Sequence, residues 1–229
     1  MNYYLDIETT GLNPFNHKII TIQYMELERN TAKPTGPLKI LKEWESDEKT
    51  ILTEFISNSG INDDYKFSFI PVGFNLQFEH SFFYFRFIAN KITPINILNR
   101  PFLDLKTVGV IMNKGEFKGA SLHNITNKPH GGGNIPELYA EGKYEEIESY
   151  IKNEADEFCK FCTQLYVEMP QLLEKFRKKV PFFEVLPKND FDKIYGKYQN
   201  NQGIILETYN LYDKTLEELI DSNLSLIHI

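Results

Sequence analysis

The stretch Tyr3-Tyr4-Leu5-Asp6-Ile7-Glu8-Thr9-Thr10-Gly11-Leu12-Asn13-Pro14 decides how this chain is read. Its first half is a short β-type run, and Gly11 to Pro14 are turn residues. Side chains at i and i+2 of a strand point to the same face, so Asp6 and Glu8 project side by side at the end of the first strand. Two adjacent carboxylates on a rigid strand raise each other's pKa unless a cation sits between them. Such a pair suits a hard cation such as Mg²⁺ or Mn²⁺, which prefers carboxylate oxygens. A polar edge-strand face is the competing reading of an Asp-x-Glu.

Working outward, Lys18 to Met25 is a second β-rich run, close enough to the first to be its antiparallel neighbour. Leu38 to Trp44 is a third candidate strand. Ser46 is expected to cap a helix with Glu48 in its first turn and Ile51, Leu52, Phe55 and Ile56 on one face. Phe67 to Val72 reads as a buried strand closed by Gly73, and a helix over about Phe78 to Ala89 presents Phe78, Phe82, Phe83 and Phe85. Phe102 to Leu105 is a short strand or the start of a helix, and Ser121 opens a helical turn with Leu122 and Ile125. After the polar loop His130-Gly131-Gly132-Gly133-Asn134 the pattern is helical from Ile135 through Tyr166, with a break or kink expected at Pro170. Gly203 to Glu207 is β-like, and Lys214 to Ser222 reads as a final helix. Strands first, then strands mixed with helices, then a long helical stretch imply an α/β sheet with helices on both faces.

The 229 residues are 41% apolar and 25% charged, an ordinary globular composition. A chain this long buries roughly 70% of its unfolded surface and needs no disulfide staples. Lys plus Arg is 25 and Asp plus Glu is 32, a net charge of −7, which argues against holding duplex nucleic acid by bulk charge but leaves room for a strand in a local groove. The two cysteines, Cys159 and Cys162, form a lone CxxC inside an expected helix and read as structural thiols of a reducing compartment. Met1 to Asp6 lacks a basic start and a long apolar run, and no stretch of 18 apolar residues exists, so a soluble cytoplasmic protein is expected.

Two further segments extend the chemistry of the first. Val72-Gly73-Phe74-Asn75-Leu76-Gln77-Phe78-Glu79-His80 stands at a strand-to-helix junction, and Tyr150-Ile151-Lys152-Asn153-Glu154 lies on the late helix. With Asp6-Ile7-Glu8-Thr9-Thr10-Gly11-Leu12 these resemble, in order, the three motifs of the DEDD 3′–5′ exonuclease superfamily. The second resembles that family's G-x-N-x-x-F-D element with Glu79 in place of the usual Asp. The third fits the Tyr-x-x-x-Asp form with Glu154 in place of Asp, which points to the Tyr branch that includes the proofreading domains of family-B DNA polymerases. Leu103-Asp104-Leu105, Ser121-Leu122 and Glu146 to Tyr150 follow in the order that branch shows.

The resemblance covers roughly Met1 to Pro170. It implies an RNase H-like fold, a mixed central sheet flanked by helices, in residues 1–170, with 171–229 a C-terminal extension packed on the same domain. It implies two-metal hydrolysis of phosphodiester bonds at the 3′ end of single-stranded nucleic acid, DNA ahead of RNA, with two Mg²⁺ or Mn²⁺ ions. Asp6 would bridge the ions, Glu8 and Glu154 would complete the one that activates water, and Glu79 would hold the other. Tyr150, one helical turn before Glu154, would orient the attacking water. Thr9, Leu12, Asn75 and Phe78 would meet the substrate.

Both departures are Asp to Glu, one methylene longer, so a lower activity or a shift toward Mn²⁺ is open. Asp156 is the second candidate for the last ligand, although it stands about 600° round the helix from Tyr150. A 3′–5′ exoribonuclease with the same site, or a weakened nucleic-acid-binding module of the same fold, are the alternatives. His130 to Gly133 superficially resembles a lipase oxyanion loop, but the chain has no G-x-S-x-G, which leaves a connector or a loop near the site. His80 reads as a helix-surface residue, and Phe74 or Phe78 as a base-stacking candidate beside a core role. The basic segment Lys175 to Lys179 is either a phosphate contact or a solvated helix end.

Overall fold

A computed structural model describes residues 1–126 and 132–179. Five strands form one sheet in the order β3-β2-β1-β4-β5. They are β1 Asn2–Thr9, β2 Ile19–Leu27, β3 Lys39–Lys42, β4 Ile70–Gly73 and β5 Leu103–Asp104. β2 is antiparallel to β1 and β3, while β4 is parallel to β1 and β5, so the sheet is mixed. The expected antiparallel pairing of the first two runs is present, and β1 lies at the centre of the sheet.

Strand parity on β1 separates two cores. Leu5 and Ile7 face helices α1 (Glu48–Ser59) and α2 (Leu76–Ala89), packing with Ile51, Leu52, Phe55, Phe82, Phe83 and Phe87. Tyr4 points the other way, onto α6 (Tyr144–Lys179), where it meets Ala155, Phe158, Cys159 and Cys162. Each fully buried large side chain contributes about 1.5–3 kcal/mol, so the sheet is clamped from both faces, as the sequence pattern predicts. The remaining helices are α3 (Lys106–Met112), α4 (Leu122–Ile125) and α5 (Ile135–Ala140). Among the described residues no helix is long and apolar enough to cross a membrane.

Several boundaries differ from the sequence reading. β3 ends at Lys42, because Glu43–Glu45 turn into a 3₁₀ helix. The cap of α1 is Asp47 rather than Ser46: the Thr50 amide donates to Asp47 Oδ1 at 2.7 Å, a carboxylate being the stronger acceptor for a helix start. The fourth strand begins at Ile70 rather than Phe67, which is exposed, and includes Gly73. α2 starts two residues early, at Leu76, because Asp104 supplies the acceptors for its first amides. The helical stretch after Ile135 is divided at Gly142, whose φ of 70° ends α5 and admits α6. α6 continues through Pro170 to Lys179: one missing amide donor does not end a helix flanked by Glu168, Met169, Gln171 and Leu172.

Compactness divides the chain into Met1–Met169 and Pro170–Ile229. The β-like run Gly203 to Glu207, the helix Lys214 to Ser222, and His130 and Gly131 lie outside the described residues, as do the side chains of 176–179 in the basic segment.

Candidate active site

β1 delivers Tyr4, Asp6 and Glu8 to one face, and its register with β2 pairs Asp6 with Gln23 and Glu8 with Thr21. The register shifts between Glu8 and Thr9, a bulge that bends the strand where it leaves the sheet. From the opposite side α6 brings Glu154. One carboxylate oxygen from each of Asp6, Glu8 and Glu154 lies within 4.8 Å of the others. Octahedral ligands about 2.1 Å from a Mg²⁺ sit about 3–4 Å apart, so these three fit a single hard cation after a small contraction. Asp156, the alternative last ligand, is exposed and stands outside this cluster.

Asp6 is held from below. Gln23 is fully buried, and its Nε2 donates to Asp6 Oδ2 at 3.0 Å, while its own Oε1 accepts from Thr21 Oγ1 at 2.9 Å. The Tyr4 hydroxyl donates to the same Asp6 oxygen at 3.2 Å. These partners set the orientation of a carboxylate at the sheet centre, as hydrogen-bonded supports do for metal-binding side chains in general.

Glu79, on the first turn of α2, is 3% exposed, and its Oε2 has no hydrogen-bond partner. Burial holds its carboxyl well above the usual carboxylate range, reinforced by the charges of Asp6 and Asp104 and by a hydrogen bond with Asp6. A buried carboxyl with an orphaned oxygen next to another carboxylate suits a neighbouring cation. Tyr150 stands one turn before Glu154. Burial raises its phenol pKa well above the ordinary value, as do the charges of Glu154 and Glu8 and a hydrogen bond to Glu154, so it stays neutral.

Asp6, Glu8, Glu154 and Tyr150 line one cavity of about 560 Å³ together with Thr9, Leu12, Asn75 and Phe78, whereas Glu79 lies behind Asp6, outside both this lining and the three-carboxylate cluster. Thr9 is buried and its hydroxyl donates to the Gly11 carbonyl at 2.7 Å, while Leu12 is 84% exposed at the rim. Asn75 sits in the left-handed region with φ 74°, and its backbone N–H donates to Asp104 Oδ1 at 2.8 Å. Phe74 and Phe78 both line the cavity, and each also packs against a core cluster. His80 stands half-buried on α2, with an unpartnered Nδ1, and burial lowers its pKa. The thiols Cys159 and Cys162 are free and buried.

Sequence reasoning missed Gln23, Thr21, Tyr4 and Asp104, and also Lys106, Ser121 and His123, which line the cavity; Gly132 and Gly133 line it too, in the segment read as a connector or a loop near the site. Tyr4 was within reach, since it shares strand parity with Asp6. Asp104 accepts from the amides of Asn75, Leu76 and Lys106, joining β5 to the start of α2 and α3.

A model of the RNase_H superfamily matches residues 3–133, more than half of the 229. The chain belongs to the RNase H superfamily, and its sheet and helices have that fold. No curated protein matches it. Among solved structures it is similar to exonuclease I in a complex named ExoI/SSB-Ct, at 12% identity and TM-score 0.40 over 49% of this chain and 30% of that one. It is similar at 11% identity and TM-score 0.39 to the metal-free E. coli ExoI–ssDNA complex, over 48% of this chain and 29% of that one. A further exonuclease I structure matches at 12% identity and TM-score 0.42, over 54% of this chain and 34% of that one. The chain spans about a third of the length of these proteins.

Proposed function

We propose that this chain is a divalent-metal-dependent 3′–5′ exonuclease of the DEDD type, Tyr branch, that removes nucleotides from the 3′ end of single-stranded nucleic acid, DNA ahead of RNA. The observation that carries the reading is the convergence of Asp6 and Glu8 from β1 with Glu154 from α6 at the floor of one cavity, beside the Tyr150 hydroxyl. The order and spacing of the three motifs support the branch.

Asp6, Glu8, Glu154 and Glu79 would hold two Mg²⁺ or Mn²⁺ ions, whose contribution when bound is to lower the pKa of water and to neutralise charge on the attacking and leaving oxygens. Asp6 clusters with Glu8 and Glu154 and also hydrogen-bonds with Glu79, and Gln23 and Tyr4 hold its carboxylate. Tyr150, kept neutral, offers an oxygen that can accept from water while its hydroxyl donates a hydrogen bond to Glu154. Thr9, Leu12, Asn75 and Phe78 surround the place of the terminal nucleotide, the exposed Leu12 and the Phe78 ring offering apolar surface to a base. The activity resides in residues 1–170, and every group named lies within Met1–Met169.

Digestion of 5′-labelled single-stranded DNA, duplex DNA and RNA with Mg²⁺ and with Mn²⁺ tests the proposal. It expects stepwise shortening of single-stranded DNA from the 3′ end, lost in Asp6→Asn. Internal cleavage, shortening from the 5′ end, or full activity of Asp6→Asn overturns it.

A further inference from the structure

Among the described residues of the glycine-rich loop, Gly132 is the one in close contact with the site, and the reading above gives it no role. It opens the short 3₁₀ turn Gly132–Asn134 and lines the cavity with Gly133. A Cβ built on Gly132 would stand 3.0 Å from the Tyr150 hydroxyl oxygen and 3.6 Å from Glu8 Oε2. A Cβ on Gly133 would meet nothing within 4 Å. The two glycines are therefore unequal: one is pressed against two site residues and the other faces open space.

We infer that Gly132 is a positioning residue for Tyr150: the lack of a side chain there leaves the hydroxyl room to stay on Glu154 beside Glu8. The backbone does not demand glycine by its φ, since Gly132 is absent from the positive-φ glycines. The constraint is space. An added methyl must push the phenol by a few tenths of an ångström or lift the 3₁₀ turn off the site, and Tyr150 is the neighbour at the tighter distance. A shift of that size at a water-orienting group lowers the rate more than the affinity, because alignment matters most in the transition state. The functional consequence rests on the nuclease reading; the steric coupling between Gly132 and Tyr150 does not.

The test is a double-mutant cycle of wild type, Gly132→Ala, Tyr150→Phe and the double variant, with Gly133→Ala as a neighbour comparison. Phenylalanine removes the oxygen that the new methyl would strike. Single-turnover cleavage of a 5′-labelled single-stranded oligonucleotide should fall about tenfold in Gly132→Ala with little change in KM, and by less than about twofold when Gly132→Ala is added to Tyr150→Phe. Gly132→Ala should lose more than Gly133→Ala, and Gly132→Val more still. Thermal melting of the metal-free proteins gives an arm independent of activity: Gly132→Ala should lower Tm by about 2–4 °C in the wild-type background and by less in the Tyr150→Phe background. Equal effects in both backgrounds, or no effect in either, overturn the inference. If wild type cleaves no nucleic acid the nuclease reading fails, and the melting cycle alone decides the role of Gly132.

Discussion

Gln23→Leu replaces a buried side chain that supports Asp6 from the neighbouring strand. The side chain is 0% exposed, donates to Asp6 Oδ2 at 3.0 Å and accepts from Thr21 Oγ1 at 2.9 Å. Leucine keeps the volume and removes both bonds. The bond to Asp6 is charge-assisted and worth roughly 1.5–3 kcal/mol, and the Thr21 hydroxyl, buried and left without its acceptor, adds about 1 kcal/mol. Apolar packing of the leucine offsets part of this, so metal-free stability should fall by about 2–3 kcal/mol in a urea melt. Tyr4 still donates to Asp6, so the carboxylate stays in the site with one anchor fewer. Loss of such a support typically lowers metal affinity or activity about 10–100-fold, read here as weaker Mn²⁺ binding by calorimetry and slower cleavage. Gln23→Glu provides the contrasting arm: it places a further carboxylate beside Asp6 and should destabilise the metal-free protein more than leucine does. If Gln23→Leu keeps wild-type Mn²⁺ affinity and stability within experimental error, Asp6 is not held by its strand neighbour and the account of the site's rigidity is wrong.

Glu154→Ala should lose at least a hundredfold in cleavage rate while Asp156→Ala stays near wild type, because only the first stands with Asp6 and Glu8; the reverse pattern would move the last ligand to Asp156. Glu154→Asp should also be slower, with a smaller loss in Mn²⁺ than in Mg²⁺, since the backbone of α6 is set for the longer arm and Mg²⁺ is the stricter ion; a gain in Mg²⁺ would show a strained native site. Tyr150→Phe should lower single-turnover rate with little change in KM, and a pure KM defect would remove its hydroxyl from the chemistry. Burial pushes the Cys159 and Cys162 thiols up to about 12 from an ordinary 9.0. Both should therefore resist iodoacetamide at pH 8 until the protein unfolds. The sign for stability follows: between about pH 9 and 12 the unfolded chain has released these protons and the native one has not, so this contribution is present below pH 9 and lost as pH rises. Rapid labelling of the native protein would contradict it.

The parity of Asp6 and Glu8 was legible because a strand's period is two, and Tyr150 with Glu154 because a helix's is near four. The alternation of Leu5 and Ile7 with Tyr4, Asp6 and Glu8 likewise assigns one face of β1 to the apolar core and the other to the site. Gln23 was not legible as the partner of Asp6. Its placement depends on cross-strand register, set by the turn between Thr10 and Lys18 and by the bulge at Glu8 and Thr9, and neither has a signature at single-residue precision. Asp104 was hidden for a related reason: it caps a helix that starts 28 residues earlier in the chain, so no local cap pattern near Leu76 reveals it. The expected cap, Ser46, stands one residue before the actual one, Asp47, whose carboxylate accepts from the Thr50 amide. Gly132 carried no distinguishing sign among its neighbours, since its importance lies in what a methyl would strike rather than in its own conformation.

The central claim is that carboxylates from β1 and α6 form a metal centre, and anomalous scattering from a Mn²⁺-soaked crystal measures it most directly. The account predicts a strong peak bounded by Asp6, Glu8 and Glu154, and a second peak between Asp6 and Glu79 about 3.5–4 Å away. No peak at Asp6 in a crystal that binds Mn²⁺ elsewhere, or a peak held by Asp156 instead of Glu154, would contradict it.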